Sequence, residues 1–398
     1  MENGKRKLSK KFTIFARSAV EINIAEKKAV TKLKHIYSIA FALLGLTLVS
    51  CGVDKHDSVE EIISTAEPNI AEPQRLRLLF AGDAMCHTPQ INSARRKGYK
   101  LDFHSTFEGV KKHFDQADIA IVNLETTISP NSTYSGYPCF SSPAEYADAL
   151  AWLGTDVAVL ANNHCCDRGI RGILATIAKL DSLGIAHTGV FHSEEDQKRN
   201  AILRLERNGI RIALINYTYG TNGCYIPKRV KVNQIDTTRM AKDIELASVD
   251  SDCVIAYVHW GYEYLHQPSR EQRKLAEFLQ RKGVDIIVGS HPHVVQPYTA
   301  TESQITLYSL GNFVSGQRKA NTDGGLLAEI EIEKGADGIC RYSLQTTPIW
   351  VMKPGYKLVS SEFADEVKME RWQRARYEQV LRNTTSLLKA GLKHQQKL

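Results

Sequence analysis

Short apolar runs that end in metal-binding or proton-carrying residues recur along this chain, and they narrow what it can fold into. Residues 156–160 (DVAVL) have the continuous apolar character of a parallel strand buried on both faces. That run leads into Asn162, Asn163, His164 and Asp167. A helical pattern of Ile170, Ile173, Leu174, Ile177, Leu180 and Leu183 follows. Residues 78–81 end in Gly82-Asp83, with His87 four positions further on, and residues 118–122 end in Asn123-Leu124-Glu125. Residues 254–258 deliver His259-Trp260-Gly261-Tyr262-Glu263, and residues 285–288 deliver Gly289-Ser290-His291-Pro292-His293. In open α/β sheets the carboxyl edge is where ligands bind. The pattern therefore predicts an α/β fold whose strand ends share one site.

Charge excludes one class of partner. The formal charge of the 398-residue chain is +7, but residues 1–34 hold ten Lys or Arg against three Glu. What remains carries equal numbers of basic and acidic side chains, so bulk charge gives nucleic-acid binding no support. Residues 36–50 are apolar, too short for a spanning helix of about 20 residues, and preceded by basic residues. They end in Leu48-Val49-Ser50-Cys51-Gly52, which resembles a bacterial lipobox with Cys51 as the lipidated residue. The expectation is a signal peptide over 1–50, a lipidated polar tether over 51–74, and a cell-envelope location facing the periplasm or exterior. An uncleaved signal anchor is the plainer alternative. The seven cysteines beyond Cys51 have irregular spacing and no CxxC pair, which argues against a disulfide framework or a zinc ribbon. Cys165-Cys166 read as packing residues beside the polar cluster.

Carboxylate oxygen combined with neutral imidazole suits Mn, Fe or Zn. Two ions about 3.5–4 Å apart can activate water and stabilise both oxygens of an in-line displacement. The strand-end inventory offers Asp83, His87, Asn123, Glu125, Asn163, His164, Asp167, His259, Glu263, His291 and His293 for that chemistry.

The motifs carrying this inventory are GDAMCH at 82–87, NLETTIS at 123–129, NNHCCDRG from 162, HWGYEY at 259–264, GSHPHVVQP at 289–297 and YSLGNFVSGQ at 308–317. Their combination and order resemble the CapA family of capsule and poly-γ-glutamate biosynthesis proteins. That family is in turn similar to the calcineurin-like metallophosphoesterases. The resemblance implies a four-layer αββα sandwich and a two-metal site. It implies Asp83, His87, Glu125, Asn163, His259, His291 and His293 as metal ligands, with His87 equally open to a structural role. His164 is implied as the acid, with Asp167 orienting it. Glu263 has no counterpart in the metallophosphoesterase motifs and reads as an acid, a base or a binder of substrate amine.

Asn123, Asn162, Trp260, Tyr262 and Asn312 are candidates to face substrate. Trp260 and Tyr262 would serve equally as pocket wall, and Asn312 as a backbone cap. The implied activity is metal-dependent hydrolysis or transfer at a phosphoester or a γ-glutamyl-type amide of an anionic envelope polymer or its precursor. A non-catalytic subunit of a polymer synthase or export complex, or a polymer-binding protein, stays open beside it.

The domain is expected over 75–355, followed by a helical extension over 356–398. Asn208-Gly209 between two alternating runs predicts a hairpin. Helices are expected over 145–153, 235–249 and 269–283. Residues 129–142, rich in Ser, Gly, Pro and Tyr, read as a long loop near the site.

Overall fold

A computed structural model describes residues 72–96 and 100–395. The expected signal segment, the lipobox with Cys51 and nearly all of the tether lie outside those residues. Among the described residues no helix is long and apolar enough to cross a membrane. In chain order the strands of the first half are β1 (Gln74–Ala84), β2 (Ile119–Leu124), β3 (Val157–Val159), β4 (Ala186–Thr188), β5 (Val190–Phe191), β6 (Ile202–Arg207), β7 (Ile210–Thr218) and β8 (Lys231–Val232). Those of the second half are β9 (Cys253–His259), β10 (Ile286–Ser290), β11 (Tyr298–Ala300), β12 (Ile305–Leu307), β13 (Asn312–Val314), β14 (Gly324–Lys334), β15 (Cys340–Met352) and β16 (Lys357–Ser360). The helices are α1 (Thr88–Ser93), α2 (His104–Phe107), α3 (Lys111–Gln116), α4 (Ala144–Leu153), α5 (Gly169–Leu183), α6 (Glu194–Asn200), α7 (Thr237–Ala247), α8 (Arg270–Lys282) and α9 (Arg371–Gln395).

Two sheets form. One has the order β16-β15-β14-β1-β2-β3-β4, with β13 paired to the end of β1, and the other runs β11-β12-β10-β9-β7-β6. The central pairs β1-β2-β3-β4 and β7-β9-β10-β12 are all parallel, so their carboxyl ends point the same way within each sheet.

The expected strands have side chains buried on both faces, which explains their unbroken apolar runs. In β1, Leu78 and Phe80 join a core shared with Leu214, Ile255, Tyr257 and Val288 of the other sheet. Leu79 and Ala81 face the opposite way, with Phe107, Phe114, Tyr146 and Ile173 from the helices. On the far side, Ala213, Ile215, Ala256 and Ile287 pack against Met240, Ile244, Ala276 and Leu279 of α7 and α8. These three cores separate four layers, helix, sheet, sheet and helix, which is the expected αββα sandwich.

Local signals set the element ends. Asn208 and Gly209 both adopt positive φ, 53° and 75°, and close the β6–β7 hairpin. Ser269 and Gln272 form a capping box on α8, while α4, α5 and α8 end at Gly154, Gly184 and Gly283 in the left-handed conformation.

One boundary moves. The helical extension expected from 356 opens with a strand, because β16 pairs antiparallel with β15 and Ile349 faces Ser360 in register. Alternation over four residues was too short to show it. Helix α9 then packs Tyr377 and Val380 against Trp350, and Arg376 grips Asp323 through Nε at 2.9 Å and Nη2 at 2.6 Å.

Gly82 permits the close approach of β1 to the turn before β13. A Cβ there would lie 2.0 Å from the Gly311 carbonyl oxygen. Gly82→Ala is expected to cost roughly 1–3 kcal/mol through forced backbone movement, measured by urea denaturation.

Candidate metal centre

The strand ends meet between the two sheets. Asp83 lies near the end of β1, and Glu125 directly follows β2, where its N–H donates to the Ala84 carbonyl at 3.1 Å. Asn163 and His164 stand in the turn after β3, His259 ends β9, and His291 and His293 follow β10.

Three donor groups overlap here: Glu125 with His259 and His291, Asp83 with Glu125 and His293, and Glu263 with His291 and His293. Within each group one ligand atom per residue lies within 4.8 Å of the others. Glu125 belongs to two groups, and so do His291 and His293.

Both Glu125 carboxylate oxygens are buried without a hydrogen-bond partner, and so is His291 Nδ1. A buried carboxylate left this way is costly unless a positive charge meets it. Burial, followed by the nearby Asp83 carboxylate, pushes the Glu125 acid well above the usual range. Burial pushes His259 well below the ordinary imidazole value, helped by His291 and His293. His291 falls to about 3 from burial and then from His293. Neutral imidazoles around a carboxylate that resists ionising alone are what a divalent cation requires. The residues present fit such a group.

Surrounding hydrogen bonds hold the donors in orientation. His293 Nδ1 lies 3.1 Å from both Asp83 Oδ2 and Asn312 Oδ1, and its Nε2 is 3.8 Å from Glu125 Oε1. His259 Nδ1 lies 2.9 Å from Ser290 Oγ, and Nε2 lies 2.9 Å from Asn163 Oδ1 and 3.7 Å from Glu125 Oε1. Distances near 3.8 Å are too long for hydrogen bonds, so Glu125 Oε1 is left without a partner between the two rings. Asn123 donates Nδ2–H to Asp83 Oδ1 at 2.8 Å, and the His291 N–H donates to Asp83 Oδ2 at 3.3 Å. His291 and His293 adopt φ of 97° and 58°. A β-carbon in that region costs about 1–3 kcal/mol per residue and persists where surrounding contacts over-determine it.

His164 and Asp167 form a separate pair. Asp167 Oδ2 lies 2.9 Å from His164 Nδ1 and also accepts the Phe140 N–H at 2.7 Å. Phe140 packs its ring edge-on to His164 at 4.7 Å. The 129–142 loop therefore reaches the site, as its composition suggested.

Several expected roles change. His87 lies outside all three donor groups. Its Nδ1 accepts the Gly316 N–H at 3.1 Å, its ring meets Phe140 edge-on, and burial lowers it to about 4, so it is a neutral packing residue. Asn123, Asn162 and Asn312, candidates to face substrate, are fully buried and hydrogen-bonded within the protein. Asn162 donates to the Leu124 carbonyl and accepts the His164 N–H, and Asn312 donates to the Thr322 carbonyl, all from buried positions. Trp260 is buried, with its indole N–H on the Tyr308 carbonyl, so it is wall; Tyr262 stays exposed at the rim. Glu263, read as an acid, a base or a binder of substrate amine, is exposed and lies with the two histidines of the HPH turn as a candidate ligand.

Two contributors escaped the sequence reading. Ser290 sits inside the GSHPH motif, yet a serine gives no signal of its own. Tyr219, whose ring lies 4.5 Å from that of His291, follows β7. Reading residues 201–217 only as an antiparallel pair concealed that β7 also runs parallel to β9, and so delivers its own carboxyl end here.

Two face-packed sheets that gather one Asp, Glu125 and three His at their carboxyl ends define an αββα protein with a candidate divalent-metal site. Residues 77–317 match the model of the bacterial capsule synthesis protein family PGA_cap, and the chain belongs to that family. It is 28% identical over 275 residues to the PGA biosynthesis protein CapA of Bacillus subtilis (strain 168), covering 68% of this chain and 70% of that one. It is 26% identical over 351 residues to the capsule biosynthesis protein CapA of Bacillus anthracis, covering 84% and 80%. Among solved structures, a novel phosphatase from Mycoplasma pneumoniae aligns with a TM-score of 0.46 at 16% identity, over 71% of this chain and 96% of that one. The resemblance drawn from the motifs is thereby established at the level of the family.

The Glu125 shift sets a sign. A carboxyl raised in the folded state adds stability that is full below the ordinary value of 4.5 and is lost as pH climbs through the raised one. His259 and His291 act oppositely: their contribution grows as pH rises from their lowered values toward 6.5 and is full above it. In chelator, Glu125→Gln is expected to gain stability relative to wild type as pH rises from 4.5 to neutrality, read by urea denaturation. Added Mn²⁺ should raise the wild-type Tm and leave that of Glu125→Gln unmoved.

Proposed function

We propose that this chain is a metal-dependent hydrolase or transferase of capsule or poly-γ-glutamate-type polymer biosynthesis, acting at a phosphoester or a γ-glutamyl-type amide. The observation that carries this reading is the Glu125 carboxylate, buried without partners and shared between the Asp83–His293 and His259–His291 groups. Sharing one carboxylate between two donor groups suits two divalent ions, with Mn, Fe or Zn matching the mixed oxygen and nitrogen donors. When bound, such ions supply Lewis-acid polarisation and an activated water.

The chain's own residues supply the rest. Asp167 fixes the ring of His164 through Nδ1, which leaves Nε2 to deliver a proton to a leaving group. Asn123, Asn312 and Ser290 hold the donor side chains in place, so little reorganisation accompanies reaction. Phe140, edge-on to His164, limits water on that side. Membership of a capsule synthesis family supports an anionic envelope polymer or its precursor as the substrate class. The LVSCG segment supports attachment to the membrane through Cys51, on the periplasmic or exterior side, beside the subunits of a polymer synthase or exporter.

The test uses the full chain. Bound metal is quantified by elemental analysis, and hydrolysis of bis(p-nitrophenyl) phosphate is followed with and without Mn²⁺. His164→Ala is expected to keep its metal and lower kcat about 10²–10⁴-fold, whereas His291→Ala should lose both metal and turnover. Metal retained with no turnover of any phosphoester or γ-glutamyl amide would make the chain an accessory subunit of the polymer machinery.

A further inference from the structure

The loop leaving β9 carries metal-type donors at both ends and a cavity wall between them. His259 and Glu263 bracket Trp260, Gly261 and Tyr262, and these three line a cavity of about 510 Å³. The rest of its apolar lining is Tyr219, Ile235, Leu275 and Phe278. The size falls within the range of small-molecule sites, about 300–1,000 Å³.

Tyr219 joins cavity and centre. It lines the cavity, and its ring also lies 4.5 Å from His291 and stacks on His259 at 6.2 Å. The wall is held in advance of any ligand. The Trp260 indole N–H donates to the Tyr308 carbonyl at 2.9 Å. Gly261 turns at φ 84°, where a Cβ would lie 2.5 Å from Gln272 Oε1. Gln272 is itself fixed, because its Oε1 accepts the Ser269 N–H at 2.9 Å and its Nε2 donates to Gln296 at 2.9 Å.

We infer that this cavity takes the hydrocarbon portion of an amphiphilic phosphoester, whose polar head then reaches the donor cluster across Tyr219. An anionic polymer backbone would lose hydration against these aromatic and aliphatic carbons, and Lys274, the one cation of the lining, is offset there by Glu271. A hydrocarbon chain gains from the same surface, and the adjoining donors suit the head. The choice of head rests on the phosphoester reading above; the apolar specificity rests on the cavity alone.

Binding of octyl phosphate and methyl phosphate to the full chain, by calorimetry in chelator and again with Mn²⁺, separates the two. Octyl phosphate is expected to bind roughly tenfold or more tightly than methyl phosphate in both conditions, because its added methylenes leave water. Tyr262→Ala and Leu275→Glu should each erase that preference. Tyr262 is exposed, so its truncation tests the cavity even where the charge at Leu275 disturbs folding.

Equal affinity for the two phosphates overturns the inference. So does an octyl preference that survives both substitutions, since the chain would then sit elsewhere, the apolar 36–50 segment included. A dimer that either substitution dissociates, seen by sedimentation with no octyl preference, would assign the face to self-association instead. An octyl preference in a protein that binds no metal would keep the cavity and overturn the metal-dependent reading.

Discussion

Glu125 stands where two sheets press their carboxyl ends together, and neither of its oxygens receives a hydrogen bond. Every neighbour within reach is arranged around that fact. Asp83 brings a second carboxylate, which by itself makes the burial worse. His259 and His293 approach the same oxygen to 3.7 and 3.8 Å without bonding to it. Protonated imidazoles could neutralise the pair, but burial drives His259 and His291 toward the neutral form. The cluster therefore sets two buried carboxylates among neutral imidazoles, an arrangement that suits a divalent cation.

That imbalance explains the effort spent around it. Amides do the positioning. Asn123 anchors Asp83, Asn312 reaches His293, and Asn162 ties the β2 end to the turn that starts His164. Each is buried and each would cost stability if left unpaired. In return they fix the donors without adding charge, which a Lys or Arg in the same place could not do. The left-handed turn at His291 and His293 belongs to the same economy of space. It sets the two imidazoles beside the strand ends with their ring centroids 5.9 Å apart.

Much of this was legible in the chain, and the part that was not follows a physical rule. Unbroken apolar runs identified the parallel strands because burial on both faces removes the alternation that polar faces impose. Asp83, Glu125, His259, His291 and His293 followed from their places just beyond those runs. His87 stayed open between a ligand and a structural role, because residue type and nearness to a strand end do not disclose where a ring points. Its Nδ1 was committed to the Gly316 amide, a contact 229 positions away in sequence. The asparagines are ambiguous for a related reason, since an amide that orients a ligand and one that faces substrate have the same spelling. Strand β16 went unread because four residues carry too little pattern, and Tyr219 because the hairpin strand β7 also has a parallel neighbour in β9.

One connection carries both the candidate metal ligands and a wall of the neighbouring cavity. Between β9 and α8 the sequence passes from His259, buried against Glu125, to Glu263 at the exposed side of the HPH turn. The three residues between could have been an ordinary link. Instead Trp260 is pinned to Tyr308, Gly261 takes a conformation in which a side chain would strike Gln272, and Tyr262 stands in solvent. Gln272 belongs to the capping box that starts α8, so the register of that helix also sets the loop that carries both donors. Displacing the helix start would move Glu263 and the wall together. Donor geometry and the shape of the neighbouring cavity are thus one mechanical unit, and a substitution in either is felt in the other.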